Sequence, residues 1–280
     1  MLCAAVLLLV GAPGCGPEEF PKESEEGALE SQSQELVSDN GFTLNGLSAN
    51  GLSANGLSFN GLSFNGLSAN GLASAEFASW FAQDPILSTM VMTYLVRCAV
   101  PAGQSRSYTD AETGQSYSWN GALGLTPGWS NGQPASFAEQ QVLTACLLAH
   151  VNQAGANLNI SVLGRSAVGQ PIPFTPHELL SYPVQEACFF GNLFTQQGLF
   201  FGVDRLPLNG AIHTRACTVS GGSDSSCAPI EYAGSCWQHC QADLLAGPSY
   251  KTCTYNGVTY RALSTRMRRQ DFKLLASALE

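Results

Sequence analysis

The chain has 280 residues and a formal net charge of -9, with 45% hydrophobic and only 12% charged residues. The acidic excess lies in residues 1–79, where Lys22 is the single base, whereas residues 80–280 are close to neutral. Because nucleic-acid binding requires a basic surface, we expect no nucleic-acid partner.

An apolar segment, residues 2–10, opens the chain and is followed by small residues and Cys15. The segment is too short to cross about 30 Å of hydrocarbon and is typical of a cleaved signal peptide, although no Lys or Arg precedes it. Cys15 stands where a lipoprotein carries its acylated cysteine. We therefore expect residues 1–15 to form a lipoprotein-like signal peptide with lipid attached at Cys15. Simple secretion and a chain that is not exported are the alternatives.

Residues 16–44 are rich in Glu and Ser and contain few large apolar side chains. Such a segment cannot bury enough surface to offset the entropy that ordering costs. We expect a disordered acidic linker, which holds the domain away from a membrane.

A five-residue repeat, Asn-Gly-Leu-Ser followed by Ala or Phe, covers residues 45–72. Its period is that of pentapeptide β-helices, but six units make only about one and a half coils, too few to bury a core alone. Asn-Gly is also a strong turn dipeptide. We expect residues 45–73 to form a flexible or turn-rich spacer, with a short solenoid docked on the domain as the alternative.

Residues 80–280 are long enough for one domain with a sizeable core. Asp84 and Pro85 start a helix, and Ser136 and Glu139 form a capping box that starts a second one. A third, short helix begins at Thr175.

Strand signals fall between and after these helices. Residues 105–109 and 115–119 alternate like paired strands, residues 158–163 indicate a further strand, and Asn256-Gly257 is a strong hairpin signal. The sequence therefore predicts a disulfide-stapled α+β domain of a few helices and short antiparallel hairpins.

Two later segments each have two interpretations. The aromatic-rich residues 189–201 indicate core packing, with an apolar binding groove as the alternative. The basic residues between Arg261 and Lys273 indicate a solvated helix face, with an anionic-lipid contact as the alternative.

Apart from Cys3 and Cys15, eight cysteines remain, an even number that in an exported chain indicates disulfides. The helix starting at Pro85 carries Cys98 on its apolar face, and the helix starting after Ser136 carries Cys146. Packing of these faces would bring the two sulfurs together, so we predict this bridge and leave the other pairings open. The candidates are Cys98, Cys146, Cys188, Cys217, Cys227, Cys236, Cys240 and Cys253.

Ser130 lies in Gly128-Trp129-Ser130-Asn131-Gly132, the Gly-x-Ser-x-Gly pattern of a nucleophile elbow, and Asp204 and His213 follow in triad order. An elbow needs a strand directly before it and a helix directly after it. Pro127 precedes the pattern and the next capping box comes later, so we expect a turn residue and keep a catalytic Ser130 as a weak alternative.

Other candidate chemistry is equally weak. Cys146 and His150 share a helix face as a thiolate–imidazole pair, but a disulfide would remove the thiolate. Cys236, His239 and Cys240 offer zinc ligands without a second pair at suitable spacing. A carboxylate pair for sugar hydrolysis is available among Glu178, Glu186 and Asp204. No cofactor is expected.

Four segments, residues 45–72, 94–101, 145–152 and 185–194, resemble those of a family of uncharacterised myxobacterial secreted proteins and lipoproteins. The resemblance covers most of residues 45–255. It implies an extracytoplasmic location and a cysteine-rich C-terminal part, and it implies no activity.

The leading interpretation is a cell-envelope protein, held to a membrane through Cys15, that binds an envelope or extracellular ligand or has a structural role, and that is not an enzyme. The alternatives are a secreted hydrolase and a carbohydrate-binding module using Trp119, Trp129 and nearby tyrosines.

Overall fold

A computed structural model describes residues 37–40, 62–152, 158–195, 197–204, 211–213, 215, 218–220 and 228–277. They form one domain of mixed helix and sheet. Its helices are α1 (Leu62–Asn65), α2 (Ala69–Leu72), α3 (Ala75–Gln83), α4 (Pro85–Ala99), α5 (Pro127–Ser130), α6 (Phe137–His150), α7 (Pro176–Ser181), α8 (Cys236–His239) and α9 (Arg269–Ser277).

The strands are β1 (Val37–Asn40), β2 (Ser105–Thr109), β3 (Ser116–Asn120), β4 (Leu158–Gly164), β5 (Val184–Gly191), β6 (Leu199–Val203), β7 (Ala211–His213), β8 (Thr218–Ser220), β9 (Glu231–Ser235), β10 (Cys240–Asp243), β11 (Ser249–Tyr255) and β12 (Val258–Met267). An eight-stranded sheet has the order β1-β4-β12-β5-β6-β9, with β11 on β12 and β10 on β11. β2 pairs with β3, and β7 pairs with β8, in two separate hairpins.

The predicted helix starts are confirmed. The Asp84 side chain caps α4, Ser136 and Glu139 complete a capping box on α6, and the Thr175 hydroxyl accepts from the Glu178 amide at the start of α7. Each cap satisfies an amide that the first helical turn leaves without a partner.

The predicted hairpins are confirmed as well. β2 and β3 pair in antiparallel register, and Asn256 and Gly257 join β11 to β12 with φ values of 50° and 77°. Positive φ at both positions is what a tight two-residue hairpin turn requires.

The sheet is more extensive than a set of short hairpins. β12 is ten residues long; its first part pairs with β11, and its later part pairs with β4 and β5 on its two sides. β9 pairs in parallel with β6. The aromatic-rich segment forms β5 and β6, where Phe189, Phe190 and Phe201 are buried, so the core-packing interpretation holds for them.

The two faces of the sheet are covered differently. α6 packs against β5 and β12 on one face, within a large apolar cluster that also includes α3 and α4. The other face carries a smaller cluster of aromatic side chains and cysteines, including Phe190, Tyr260 and Cys253.

The folded unit extends further toward the N-terminus than the predicted start at residue 80. Leu62, Leu67 and Leu72 are each at most 3% exposed and belong to the main core cluster. The last repeat units are therefore docked on the domain, as short helical turns rather than as a spacer or a β-helical coil. Residues 45–61 of the repeat lie outside the described residues.

The expected disordered linker needs one correction. Val37–Asn40 form β1, which pairs with β4 at the edge of the main sheet. The signal-peptide prediction, residues 1–15 including Cys15, and the rest of the linker prediction lie outside the described residues.

The expected basic helix face is wrong for Arg261 and Arg266, which lie in β12. Arg266 is 8% exposed and donates to the carbonyls of Tyr182 and Pro183 at 2.8 and 3.0 Å. Its guanidinium thus satisfies the chain after α7 instead of facing solvent.

Candidate functional site

A cleft formed by Arg106, residues 128–132 and Ala135 holds the end of the repeat, and we call it the repeat-docking cleft. The Trp129 indole donates to the Leu62 carbonyl at 2.7 Å, and the Trp129 carbonyl accepts from the Leu67 amide at 3.0 Å. The Ala135 amide donates to the Ser63 carbonyl at 3.0 Å. The repeat is therefore recognised through its backbone.

Arg106 closes the cleft from β2. Its Nε donates to the Leu67 carbonyl at 2.7 Å, and its second terminal nitrogen donates to the Ser130 carbonyl at 2.7 Å. One guanidinium thus bridges the repeat and the loop that receives it. Both bonds come from a charged donor, which makes them stronger than bonds between neutral groups.

Glycine is required where the repeat meets the cleft. Gly66 has φ +60°, and a Cβ there would overlap the Trp129 carbonyl and lie 2.8 Å from the Gly132 Cα. A Cβ on Gly71 would overlap the Gly66 carbonyl oxygen and lie 2.9 Å from that of Asn65, both within the repeat. A side chain at Gly66 would therefore push the repeat away from its cleft, and a side chain at Gly71 would disrupt the packing of one repeat unit on the next.

Exposure within each docked unit follows the sequence of the unit. The glycines and leucines are buried, the serines are half-buried, and the asparagines are exposed. The position that alternates between Phe and Ala is also exposed, and Phe64 is 71% exposed. The residues that stay the same in every complete unit are, apart from the exposed asparagine, those that touch the domain.

Glu139 holds the receiving loop in place. One carboxylate oxygen accepts from the amides of Gly128 and Trp129 at 2.8 and 2.9 Å. The other accepts from the Ser136 amide and hydroxyl at 3.0 and 2.8 Å. The side chain that caps α6 therefore also orients Trp129 toward the repeat.

Ser130, kept as a weak alternative for a catalytic serine, does not stand exposed on an elbow. Ser130 is 2% exposed at the end of α5, and its hydroxyl donates to the Pro127 carbonyl at 3.2 Å. No strand leads directly into the Gly-x-Ser-x-Gly pattern, which agrees with the expectation from Pro127 directly before it. The prediction of a turn or loop residue fits this geometry better than a nucleophile.

The other members of the proposed triad have different surroundings. Asp204 follows β6 and accepts a hydrogen bond from the Tyr250 hydroxyl. Burial raises the pKa of Asp204, and the Tyr250 hydrogen bond offsets part of that rise. The backbone of His213 lies in β7. Among the described side chains, no hydrogen bond joins Ser130 to Asp204.

The three carboxylates proposed for sugar hydrolysis, Glu178, Glu186 and Asp204, have different partners in the structure. Glu186 is fully buried in an ion pair with Arg215 at 2.8 Å and also accepts from the Thr265 hydroxyl at 2.9 Å. Arg215 donates further to the Ala149 carbonyl at the end of α6. Glu186 is thus held in a buried network. Glu178 and Asp204 remain as the candidates for a carboxylate pair.

Glu178 and Asp204 share one neighbouring cation. Burial raises the pKa of both carboxyls, and the positive charge of Arg266 lowers both in part. Glu178 itself is 5% exposed. A buried carboxyl of this kind is poorly placed to meet a polymeric sugar.

The predicted bridge between Cys98 and Cys146 is confirmed and joins α4 to α6. As expected, it removes the thiolate that a Cys146–His150 pair would need, so this weak catalytic alternative fails. His150 is fully buried, and its Nδ1 lies 2.8 Å from the Cys146 carbonyl, which fixes the proton on that nitrogen. Burial lowers the pKa of His150 to about 3.

The weak zinc alternative at Cys236, His239 and Cys240 also fails. Cys236 is bridged to Cys188, and Cys240 is bridged to Cys253. The two bridges are neighbours, with 3.5 Å between the sulfurs of Cys188 and Cys240. Oxidised sulfurs are not thiolate ligands. Cys217 and Cys227 lie outside the described residues.

The tryptophans considered for sugar binding are core residues. Trp119 is 3% exposed, and Trp129 is completely buried. A sugar ring cannot stack on either face. Trp237, on α8 beside Cys236, is 64% exposed instead.

Comparison of the chain with protein-family models, with curated proteins and with solved structures finds no match in any of the three. Among the described residues, no helix is both long and apolar enough to span a bilayer.

Sequence reasoning missed Arg106, Trp129 and Glu139 as the residues that hold the repeat. The capping box correctly predicted one role of Glu139, but its contact with Trp129 spans ten residues and follows no local rule. One signal was available: a leucine repeated every five residues is more apolar than a free spacer requires.

Proposed function

We propose that the protein is an exported cell-envelope protein, tethered to a membrane by lipid at Cys15, whose domain has a non-catalytic binding or structural role. The observation that carries the proposal is the burial of Leu62, Leu67 and Leu72 in the domain core. Because β1 and the docked repeat both belong to the domain, a pull from Cys15 would be taken up first by the pairing of β1 with β4 and then by the buried leucines.

The disulfides support an extracytoplasmic location. Three bridges lie within the described residues. Such bridges persist in oxidising compartments and are rare in the reducing cytosol. The resemblance to myxobacterial secreted proteins and lipoproteins favours the same location.

The fates of the candidate catalytic groups support a non-catalytic role. Ser130 is buried, Cys146 is cross-linked, and Glu186 is neutralised by Arg215. Each is used to hold the fold together. A secreted hydrolase would therefore need to rely on other groups.

The lipid anchor is tested by Cys15→Ser, with Cys3→Ser as the matched control. In cells of the native host, we expect Cys15→Ser to move the protein from the membrane fraction to the soluble fraction, and Cys3→Ser to leave it with the membrane. Mass spectrometry of the mature N-terminus should find an acylated cysteine in the control only. Membrane retention of Cys15→Ser would refute the tether.

The location is tested separately by the redox state of the sulfurs. Alkylation of natively produced protein, followed by peptide mapping, should find the bridges Cys98–Cys146, Cys188–Cys236 and Cys240–Cys253. If these six thiols were free, the extracytoplasmic assignment would fail, whatever the lipid experiment showed.

A further inference from the structure

We infer that the repeat-docking cleft recognises the Asn-Gly-Leu-Ser unit itself, so that the upstream units, residues 45–61 of the same chain, are equivalent ligands for it. The cleft would then hold any suitable run of consecutive units, and the chain between β1 and α3 would shift through it in steps of five residues. The occupant is a segment of this chain, identified by its sequence.

The contacts made by the cleft are the first step of the argument. Trp129 and Ala135 bind the repeat at backbone atoms of Leu62, Ser63 and Leu67. Backbone groups are the same in every unit. The side chains that add specificity are leucines and glycines, which the upstream units repeat at the same spacing.

The serine side chains of the repeat also make contacts that are available to every unit. The Ser68 hydroxyl accepts from the Gly71 amide at 3.1 Å and donates to the Asn65 carbonyl at 3.1 Å. These bonds lie within the repeat and cap α2. A serine recurs at this place in every upstream unit, so each unit can form the same turn.

The variable position does not interfere with exchange. A shift of five residues would put Phe64 in the place of Ala69, which is exposed. The remaining contact positions would receive an identical residue, as follows: Leu57 for Leu62, Gly61 for Gly66, Leu62 for Leu67, Ser63 for Ser68, Gly66 for Gly71 and Leu67 for Leu72.

Loop entropy makes the described register the preferred one. A shift of five leaves a surplus loop of five residues before Ser74, the N-cap of α3. Closing such a loop reduces the population about tenfold, and a ten-residue loop reduces it about thirtyfold. Shifted registers are therefore minor states that become dominant when the described one is blocked.

Deletion of residues 66–70 tests the inference directly in the full chain. This deletion removes Gly66 and Leu67, both buried, yet it leaves the five-residue period intact. If an upstream unit fills the place, no surplus loop forms. We expect a thermal unfolding midpoint within about 2 °C of the unaltered chain.

Deletion of residues 67–70 is the matched control. It removes one residue fewer but breaks the period, which places Leu62 where Gly66 must be and Ser63 where Leu67 is buried. We expect the midpoint to fall by about 10 °C or more, since core leucines and a required glycine are lost together. An equal fall for both deletions would overturn the inference, and so would two silent deletions.

A substitution pair gives a second test at constant length. Gly66→Ala blocks the described register and the shift of five, but a shift of ten uses Gly56 and Gly61. Adding Gly51→Ala and Gly56→Ala blocks the remaining shifts. We expect Gly66→Ala to lower the folding equilibrium constant about thirtyfold and the triple variant to lower it much further.

Hydrogen exchange identifies the occupant. In Gly66→Ala, residues 52–61 should gain protection that they lose in the triple variant. Equal stability of the single and triple variants would refute exchange. A midpoint that rises with protein concentration, together with a dimer in solution, would assign the occupant to a second copy and overturn the in-chain assignment.

Discussion

Two regions of the molecule are stabilised by opposite means. The repeat-docking region comprises residues 62–72 and the cleft that holds them, and the cysteine region comprises α8, β10 and β11. Residues 62–72 are held on the cleft by buried leucines and by hydrogen bonds to their backbone. Neither this segment nor residues 127–135 contain a cysteine. On the other face of the sheet, α8, β10 and β11 pack beside a small core and are cross-linked by two adjacent disulfides.

The difference follows from how much apolar surface each segment can bury. Each docked repeat unit buries a leucine completely or nearly so, whereas the segment after β9 exposes Trp237, Leu244 and Leu245. A segment that buries little surface gains little from packing, so it depends more on cross-links that restrict its unfolded chain. Substitution in the cleft should therefore affect the first region, and loss of bridges should affect the second.

Trp129→Ala should have the largest effect. It removes a fully buried indole and leaves the Leu62 carbonyl without its donor. Truncation of a buried Trp costs about 3–5 kcal/mol, and an unsatisfied buried acceptor adds about 1–3 kcal/mol. We expect the free energy of unfolding in urea to fall by about 5 kcal/mol.

Trp237→Ala is the matched control on the other face. Trp237 is 64% exposed, and surface substitutions usually stay within about 0.5 kcal/mol. If both substitutions had similar effects, the cleft would not depend on buried packing, and the contrast between the two regions would fail.

Removal of the bridges should have the next largest effect. Cys188→Ala with Cys236→Ala opens a loop with a sequence separation of 48, and Cys240→Ala with Cys253→Ala opens one of 13. Loop-closure entropy gives losses of about 4 and about 3 kcal/mol, respectively. Urea unfolding of the two double variants measures both.

The order of these two losses sharpens the comparison. If loss of the Cys240–Cys253 bridge, which closes the shorter loop, cost more than loss of the Cys188–Cys236 bridge, the stability of the cysteine region would depend on packing around β10 and not on restriction of the unfolded chain. A loss close to zero for both would contradict the idea that this region relies on its cross-links.

Local elements of this fold are readable from sequence because their signals are local. Asp84, Ser136 and Thr175 each cap a helix through an amide three residues away, and Asn256-Gly257 fixes its hairpin within two residues. The positions of β1 and β9 in the sheet depend on partners far along the chain, at β4 and β6, and no short pattern encodes them.

The repeat shows the same limit. Its turn-forming glycines were visible, but its burial depends on Trp129, 67 residues beyond Leu62. Ser130 was correctly expected to be a turn residue, but a five-residue pattern cannot report that its loop receives the repeat.

Because His150 is buried on the helical side of the sheet, we expect the free energy of unfolding to depend on pH. Burial holds its pKa at about 3, below the ordinary value of 6.5, and the charges of Arg97 and Arg215 act in the same direction. Because the unfolded chain binds the proton more readily, stability is full above pH 6.5 and is lost as pH falls toward 3. The slope is about 1.4 kcal/mol per pH unit.

His150→Gln isolates this effect because Gln keeps a donor for the Cys146 carbonyl but does not titrate. Urea unfolding at pH 6.5, 5.5 and 4.5 should show a loss in the unaltered chain that the variant lacks. Glu178 and Asp204, whose pKa values are raised, oppose the slope near its acid end in both proteins. Parallel pH profiles would mean that His150 binds its proton as readily in the folded chain as in the unfolded chain, and would contradict the lowered pKa.

The smallest effects on stability are expected from substitution of two serines beside the cleft, Ser136 and Ser130. Ser136→Ala removes the N-cap of α6 and one partner of Glu139, and should cost about 1 kcal/mol. Ser130→Ala removes a bond to the Pro127 carbonyl, which still accepts from the Asn131 side chain at 2.9 Å. Since no acceptor is left unsatisfied, we expect at most about 0.5 kcal/mol. A larger loss for Ser130→Ala than for Ser136→Ala, measured by urea unfolding, would show that the cleft is held by its serine hydroxyl and not by the Glu139 carboxylate.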